Sequence, residues 1–123
     1  MNHIATWFEI PVKDMLRAKS FYQSVFNASF KDNEMDGYLM AMFEHEEKAV
    51  SGMLVQGKEY EPSKTGAVVY FNGGDDLSEP LSRVTESGGD VVIPKTAIEE
   101  GCDGYYAQFL DSEGNRVGLY SQH

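Results

Sequence analysis

The sequence predicts an α+β fold: two βαβββ modules whose strands form a cupped, partly closed mixed sheet with the helices on the outside. Three observations carry that prediction. The first is a hairpin at Gly104–Tyr120 (GYYAQFLDSEGNRVGLY), where an aromatic-rich strand, the polar turn Asp111-Ser112-Glu113-Gly114-Asn115 and a second apolar strand follow one another. The second is a weaker copy at Gly37–Met53 (GYLMAMFEHEEKAVSGM). Aligning the Gly-Tyr pairs at Gly37 and Gly104, 67 residues apart in a chain of 123, sets Glu44 over Asp111 and Val50 over Val117. The third is that each hairpin is preceded by a strand pattern and then a helical one. Repetition at half the chain length makes duplication the first architectural expectation.

Taken in order, Ile4 to Ile10 alternates as a strand and Pro11 ends it. Asp14 suits the N-cap of a helix carrying Met15, Ala18, Phe21, Tyr22, Val25 and Phe26 on one face and ending near Asn27. Ser29–Asn33, Tyr38–Phe43 and Ala49–Val55 read as strands. Gln56–Thr65, with Gly57, Pro62 and Ser63, reads as the linker. Module one then covers about 1–56, the linker about 57–65 and module two about 66–123, within one domain spanning 1–123. In module two, Gly66–Asn72 is a strand and Leu77–Ser87 a helix, with Asp76 at its start and Pro80 in its first turn. Gly88-Gly89 stops that helix, because glycine accepts the left-handed conformation of a helix end. Asp90–Pro94 is a strand and Lys95–Asp103 a loop. Trp7-Phe8-Glu9-Ile10 lies over Val68-Val69-Tyr70-Phe71 in this repeat.

Ten basic and twenty acidic residues leave a net charge of −10, which repels nucleic-acid phosphate and anionic lipid and so excludes both as partners. No basic, apolar leader pattern occurs at the N-terminus and no apolar run is long enough for a membrane span, so the expected location is cytoplasmic. The single Cys102 reads as an unpaired thiol in a reducing compartment. His3, His45 and His123 fall at a chain end or in a surface turn and read as solvated. No EF-hand, HExxH, P-loop, GxGxxG or Gly-x-Ser-x-Gly spacing is present.

The repeat resembles the vicinal oxygen chelate superfamily, which includes glyoxalase I, bleomycin- and fosfomycin-resistance proteins and extradiol dioxygenases. The likeness rests on Val12-Lys13-Asp14-Met15…Ala18…Phe21-Tyr22, on Val69-Tyr70-Phe71…Asp75-Asp76-Leu77, and on Phe109…Asp111…Gly114-Asn115…Leu119. It implies paired modules, a cupped sheet and often a homodimer. The metal enzymes of the superfamily bind a divalent ion through His, Gln or Glu, one from each of four strands. The resemblance puts those positions on Trp7, Val68, Gly118 and, as Gly118's counterpart in module one, Ser51. None is a ligand for such an ion, so no metal and no other cofactor is expected.

Strand alternation then assigns the cup. If Phe8, Ile10, Val69, Phe71, Val117 and Leu119 face the helices, then Trp7, Glu9, Val68, Tyr70, Asn72, Gly118 and Tyr120 face the cleft, and Tyr106 and Gln108 join them. The candidate ligand-binding residues are Trp7, Glu9, Tyr70, Asn72, Tyr106, Gln108 and Tyr120, for a small aromatic molecule of neutral or positive charge. The same aromatics would equally fill a collapsed cup. Glu9, a mid-strand carboxylate between apolar residues, is the one candidate for acid–base catalysis; its structural alternative is a hydrogen bond to Tyr70, Tyr120 or Gln108. Two functions remain open: a metal-free small-molecule binder, and an enzyme of the same fold acting through Glu9 or displaced metal ligands.

Overall fold

The duplicated unit is present as two four-stranded sheets in a computed structural model that describes residues 3–99 and 103–123. Module one runs β1 (Trp7–Pro11), α1 (Met15–Phe26), β2 (Phe30–Met35), β3 (Tyr38–Phe43) and β4 (Ser51–Gln56). Module two runs β5 (Val69–Asn72), α2 (Ser78–Ser82), β6 (Asp90–Ala97), β7 (Tyr105–Leu110) and β8 (Arg116–Ser121). The strand orders match, β1-β4-β3-β2 and β5-β8-β7-β6, and in each sheet the first strand pairs parallel with the last. Among the described residues no ladder joins the sheets, so the mixed sheet is open between them.

Helix α1 forms as its pattern requires. The Asp14 carboxylate accepts the Arg17 amide at 3.1 Å, and Asn27 ends the helix at φ 57°, a conformation Asn tolerates. Met15, Ala18, Phe21, Tyr22 and Val25 are buried, and they touch both sheets. Tyr22 packs on Phe43 of β3 and Phe71 of β5, and Phe21 on Phe109 of β7. One continuous core results, closed where Phe8 of β1 meets Phe71 edge-on at 5.6 Å.

Module two departs from expectation at its helix and edge strand. The predicted helix over Leu77–Ser87 is a five-residue α2 followed by a 3-10 turn at Thr85–Ser87. Pro80 lacks an N–H, and the Ser82 hydroxyl donates to the Glu79 carbonyl, competing for a helical acceptor. Bonds of Arg83 to Pro80 and Val84 to Leu81 tighten the chain before Gly88 (φ 105°) ends it. The β6 strand continues past Pro94 to Ala97 because it is an edge with two register shifts, where a proline costs no ladder bond. The strand expected from Gly66 begins only at Val69.

Ladder partners also correct the repeat. Ala41 pairs with Leu54 and Ala107 with Leu119, all four fully buried, so Ala41 corresponds to Ala107 and Phe43 to Phe109. The Gly37/Gly104 alignment is therefore one residue out in β3 and two residues out in β4, where Val117 corresponds to Gly52 rather than to Val50. The single-residue slip exchanges the two faces of β3, whereas the two-residue slip in β4 keeps the face and changes which residue stands at the site. The first-strand correspondence of Trp7 to Val68 holds, since Val12 donates to Val55 as Gly73 donates to Tyr120. Both modules also satisfy the start of the helix with a side chain from the last strand: Gln56 accepts from Met15 N at 2.8 Å, and Ser121 from Leu77 N at 2.9 Å.

The β7–β8 turn joins the modules. Asp111 accepts from the Tyr22 hydroxyl, from Asn115 Nδ2 and from the backbone of Glu113 and Asn115. Asn115 reaches the Pro11 carbonyl and the Ser63 amide. Glu113, its side chain wholly inaccessible, takes the Lys13 and Asp14 amides at 2.8 Å and the Arg17 guanidinium at 2.7 Å. Those bonds lock the turn of module two over the N-terminus of α1.

Candidate functional site

Alternation along β1, β5 and β8 places the predicted residues on the faces away from α1. Ile10, Val117 and Leu119 are buried, while Trp7, Tyr70 and Tyr120 remain 43%, 46% and 41% exposed. The orienting cause is the core itself: Phe71 and Phe109 meet α1 and Phe8 packs on Phe43 and Phe71, so their neighbours along each strand point outward.

Tyr70 is the centre of the outward face of sheet two. It lies opposite Gly118 in the β5–β8 ladder, and its ring covers that glycine so closely that an added Cβ would stand 2.4 Å from ring carbons. Gly118 is thus relief for Tyr70, whose ring fills the space above it. The Tyr70 hydroxyl accepts from Gln108 Nε2 at 2.7 Å, and Gln108 Oε1 accepts from Arg116 Nη1 at 2.8 Å. Three clefts border Tyr70. One of about 790 Å³ is lined by Tyr106, Tyr120, Thr96 and Ile98; one of about 630 Å³ by Asn72 and Tyr120. The third, about 600 Å³, opens where the two sheets meet and is lined by Trp7, Val50, Val68 and Asn72. These sizes suit small molecules.

Six of the seven predicted residues therefore gather around Tyr70. Glu9 does not. It is exposed, and it accepts a hydrogen bond from Tyr60 at 2.9 Å rather than from Tyr70, Tyr120 or Gln108. That bond holds the Tyr60 phenol above the usual tyrosine range. The desolvation expected for Glu9 is absent because β1 lies at the edge of its sheet.

Two further residues, one beside Glu9 and one beside Gln108, escaped the sequence reading. Tyr60 comes from the linker, where no periodicity marks it. Arg116 shares a face with Gly118 and Tyr120 by simple alternation and was legible there. Its Nε donates to the Lys64 carbonyl at 3.2 Å, and no carboxylate among the described residues lies within ion-pair distance.

Over residues 1–119 the chain matches the glyoxalase/bleomycin resistance protein/dioxygenase superfamily. It belongs to that family. The proteins named "Putative glyoxylase CFP32" from Mycobacterium bovis and Mycobacterium tuberculosis are each 29% identical over 121 residues, 93% of this chain. The chain spans 44% of their length, less than half. Among solved structures, an E144Q mutant of glyoxalase I from Zea mays superposes with a TM-score of 0.77 at 20% identity, covering 95% of this chain and 46% of that one. A glyoxylase/bleomycin resistance protein/dioxygenase domain from Frankia sp. EAN1pec gives 0.75 at 11% identity, covering 100% and 99%. The fosfomycin resistance protein FosX from Listeria monocytogenes gives 0.69 at 17%, covering 100% and 93%. At these identities the structures establish the shared fold.

The corrected register changes one of the four positions at which the family's metal enzymes carry ligands. Gly118 lies opposite Tyr70 and Met53 opposite Glu9, so Met53, not Ser51, is the module-one counterpart of Gly118. Trp7, Val68, Met53 and Gly118 offer indole, alkyl, thioether and hydrogen, which do not fit a divalent ion that takes oxygen or imidazole donors. No group of three His, Cys, Asp or Glu residues is gathered elsewhere among the described residues, and His3, His45 and His123 are exposed. Cys102 lies outside the described residues. No helix among the described residues is long and apolar enough to cross a membrane.

Proposed function

We propose that this glyoxalase-family chain is a small-molecule-binding protein that takes a planar aromatic ligand between Trp7 and the tyrosines around Tyr70, without a metal. The observation that carries this reading is the state of Tyr70. Its ring is fixed on Gly118 and its hydroxyl on Gln108, so a preordered aromatic surface borders three open clefts. Rigid aromatic area costs little conformational entropy when a ligand stacks on it. Binding requires affinity alone, which the absence of chelating side chains at the family positions does not impair. In this reading the protein is cytoplasmic and works as a homodimer.

The enzymatic alternative would use Glu9 to move a proton. The Tyr60 bond and the exposure of Glu9 favour a role in tying the linker to β1 instead.

The test uses Trp7, the single tryptophan, as reporter. A set of aromatic compounds is titrated while Trp7 fluorescence and melting temperature are followed. A ligand at about 100 times its dissociation constant raises stability by about 2.7 kcal/mol. A set that neither quenches Trp7 nor shifts the melt, or elemental analysis showing a stoichiometric transition metal, overturns the proposal. Light scattering of the eluted protein at monomer mass would remove the homodimer.

A further inference from the structure

Gln108 has only one orientation available. An arginine can donate hydrogen bonds but never accept them, so the atom of Gln108 facing Arg116 must be its oxygen. The amide nitrogen therefore faces Tyr70, and the phenol oxygen is an acceptor for that N–H. The Tyr70 hydroxyl proton is consequently left free to donate elsewhere. The direction of the chain Arg116 to Gln108 to Tyr70 is imposed by the guanidinium at its head.

Both ends of this chain call for the same partner. Of the five N–H bonds of a guanidinium, one is held by Lys64 and one by Gln108, which leaves three without an acceptor among the described residues. At the other end stands the free phenol proton of Tyr70. The two groups are bonded to opposite ends of a single amide, at 2.8 Å and 2.7 Å, which holds the guanidinium and the phenol as near neighbours on one face of the sheet. Glu9 lines the same narrow groove as Arg116 but makes no ion pair with it, its carboxylate being engaged by Tyr60. In a chain of net charge −10, a half-buried arginine without a carboxylate partner on the aromatic face is a local exception.

We propose that Arg116 and the Tyr70 hydroxyl form an acid-recognition site, and that the ligand is an aromatic carboxylate. The flat fork of the guanidinium matches the two oxygens of a carboxylate, and Tyr70 supplies both a third donor and the aromatic surface. This reverses the sign of ligand charge expected from the whole chain, because net charge describes the surface at large and Arg116 sets the field at the site. The inference rests on the aromatic-binding reading above and adds the acid group to it.

Three compounds of one shape separate the two ideas: 2-naphthoate, 2-naphthamide and 2-naphthylmethylammonium, each titrated into the intact protein by calorimetry. Naphthoate is expected to bind about tenfold more tightly than the amide at low salt, with the ammonium weakest, and the gap should narrow as salt rises. Arg116→Gln should erase the acid-over-amide preference while the amide still binds, and Arg116→Lys should keep part of it. Tyr70→Phe should weaken naphthoate more than the amide. Amide binding equal to or tighter than naphthoate in the unaltered protein overturns the acid site and leaves the aromatic reading standing. Failure of all three compounds to bind overturns both. Should Arg116→Gln fail to fold, the comparison in the unaltered protein and the Arg116→Lys variant decide the matter.

Discussion

The Tyr22 hydroxyl donates to Asp111 Oδ2 across 2.7 Å, joining the helix of module one to the hairpin turn of module two inside the core. Both residues are buried, and no buried side-chain polar atom of the described residues lacks a partner. Tyr22→Phe should cost about 1–3 kcal/mol, because an acceptor of Asp111 loses its donor in a site closed to water. Asp111→Ala should cost more, since four hydrogen bonds end on that carboxylate. The double variant should fall short of the sum, as contacting residues do. Urea unfolding of the three variants measures this.

Burial, and then the Asp111 charge, hold the Tyr22 phenol well above its ordinary pKa of 10.0. A raised folded value gives stability that is complete below the unfolded pKa and is lost as pH climbs through the folded one. Alkaline titration of the phenolate absorbance should therefore show one of the seven tyrosines ionising only as the protein unfolds. Tyr22→Phe should remove that late component.

Glu113 titrates in the opposite sense. Burial pulls its carboxyl pKa upward, but Arg17 and the amides of Asp14 and Lys13 outweigh burial, and the net value lies below the ordinary 4.5. A depressed folded value gives stability that is complete above the unfolded pKa and is lost as pH falls through the folded one. Melting temperature should accordingly fall less steeply below about pH 4.5 in Glu113→Gln than in the unaltered protein. Parallel acid limbs would show that the turn is held by something else.

Gly52 and Gly118 should respond differently to alanine. At Gly52 a new Cβ would stand 2.3 Å from the Phe8 carbonyl oxygen, a backbone atom that cannot step aside. Gly52→Ala should destabilise by about 1–3 kcal/mol or more. At Gly118 the obstacle is the Tyr70 ring, a half-exposed side chain held in place by Gln108 and displaceable once that bond is broken. Gly118→Ala should melt close to the unaltered protein yet break the Tyr70–Gln108 bond and weaken aromatic binding. Equal losses of stability at both positions would contradict this account of the site.

Removing Glu9 should leave any ligand affinity nearly unchanged, because its bond is to Tyr60 and not to the tyrosine face. Glu9→Gln should lower the pKa of the Tyr60 phenol toward the usual value, measurable as an earlier phenolate step. A loss of binding or of some activity on Glu9→Gln would restore the enzymatic reading.

Periodicity and turn chemistry by themselves determined the two βαβββ modules, α1 with its Asp14 cap, and the side of each strand on which Trp7, Tyr70, Tyr106, Gln108 and Tyr120 stand. Those are local consequences of a repeat of two or of about three and a half residues, and they need only neighbours along the chain. Tertiary structure decided what local pattern does not encode. A one-residue shift in β3 and one extra residue in the β3–β4 loop together moved the repeat by two positions in β4 and made Met53 the counterpart of Gly118. Tyr60 reached Glu9 from 51 residues away, and Asp111 reached Tyr22 from 89. Arg116 acquired its meaning only when Gln108 and Tyr70 were brought beside it. Hydrogen bonds between distant segments depend on how the sheets are set against one helix, and the free energy that sets them there is the burial of Phe8, Phe21, Tyr22, Phe71 and Phe109 in a common core.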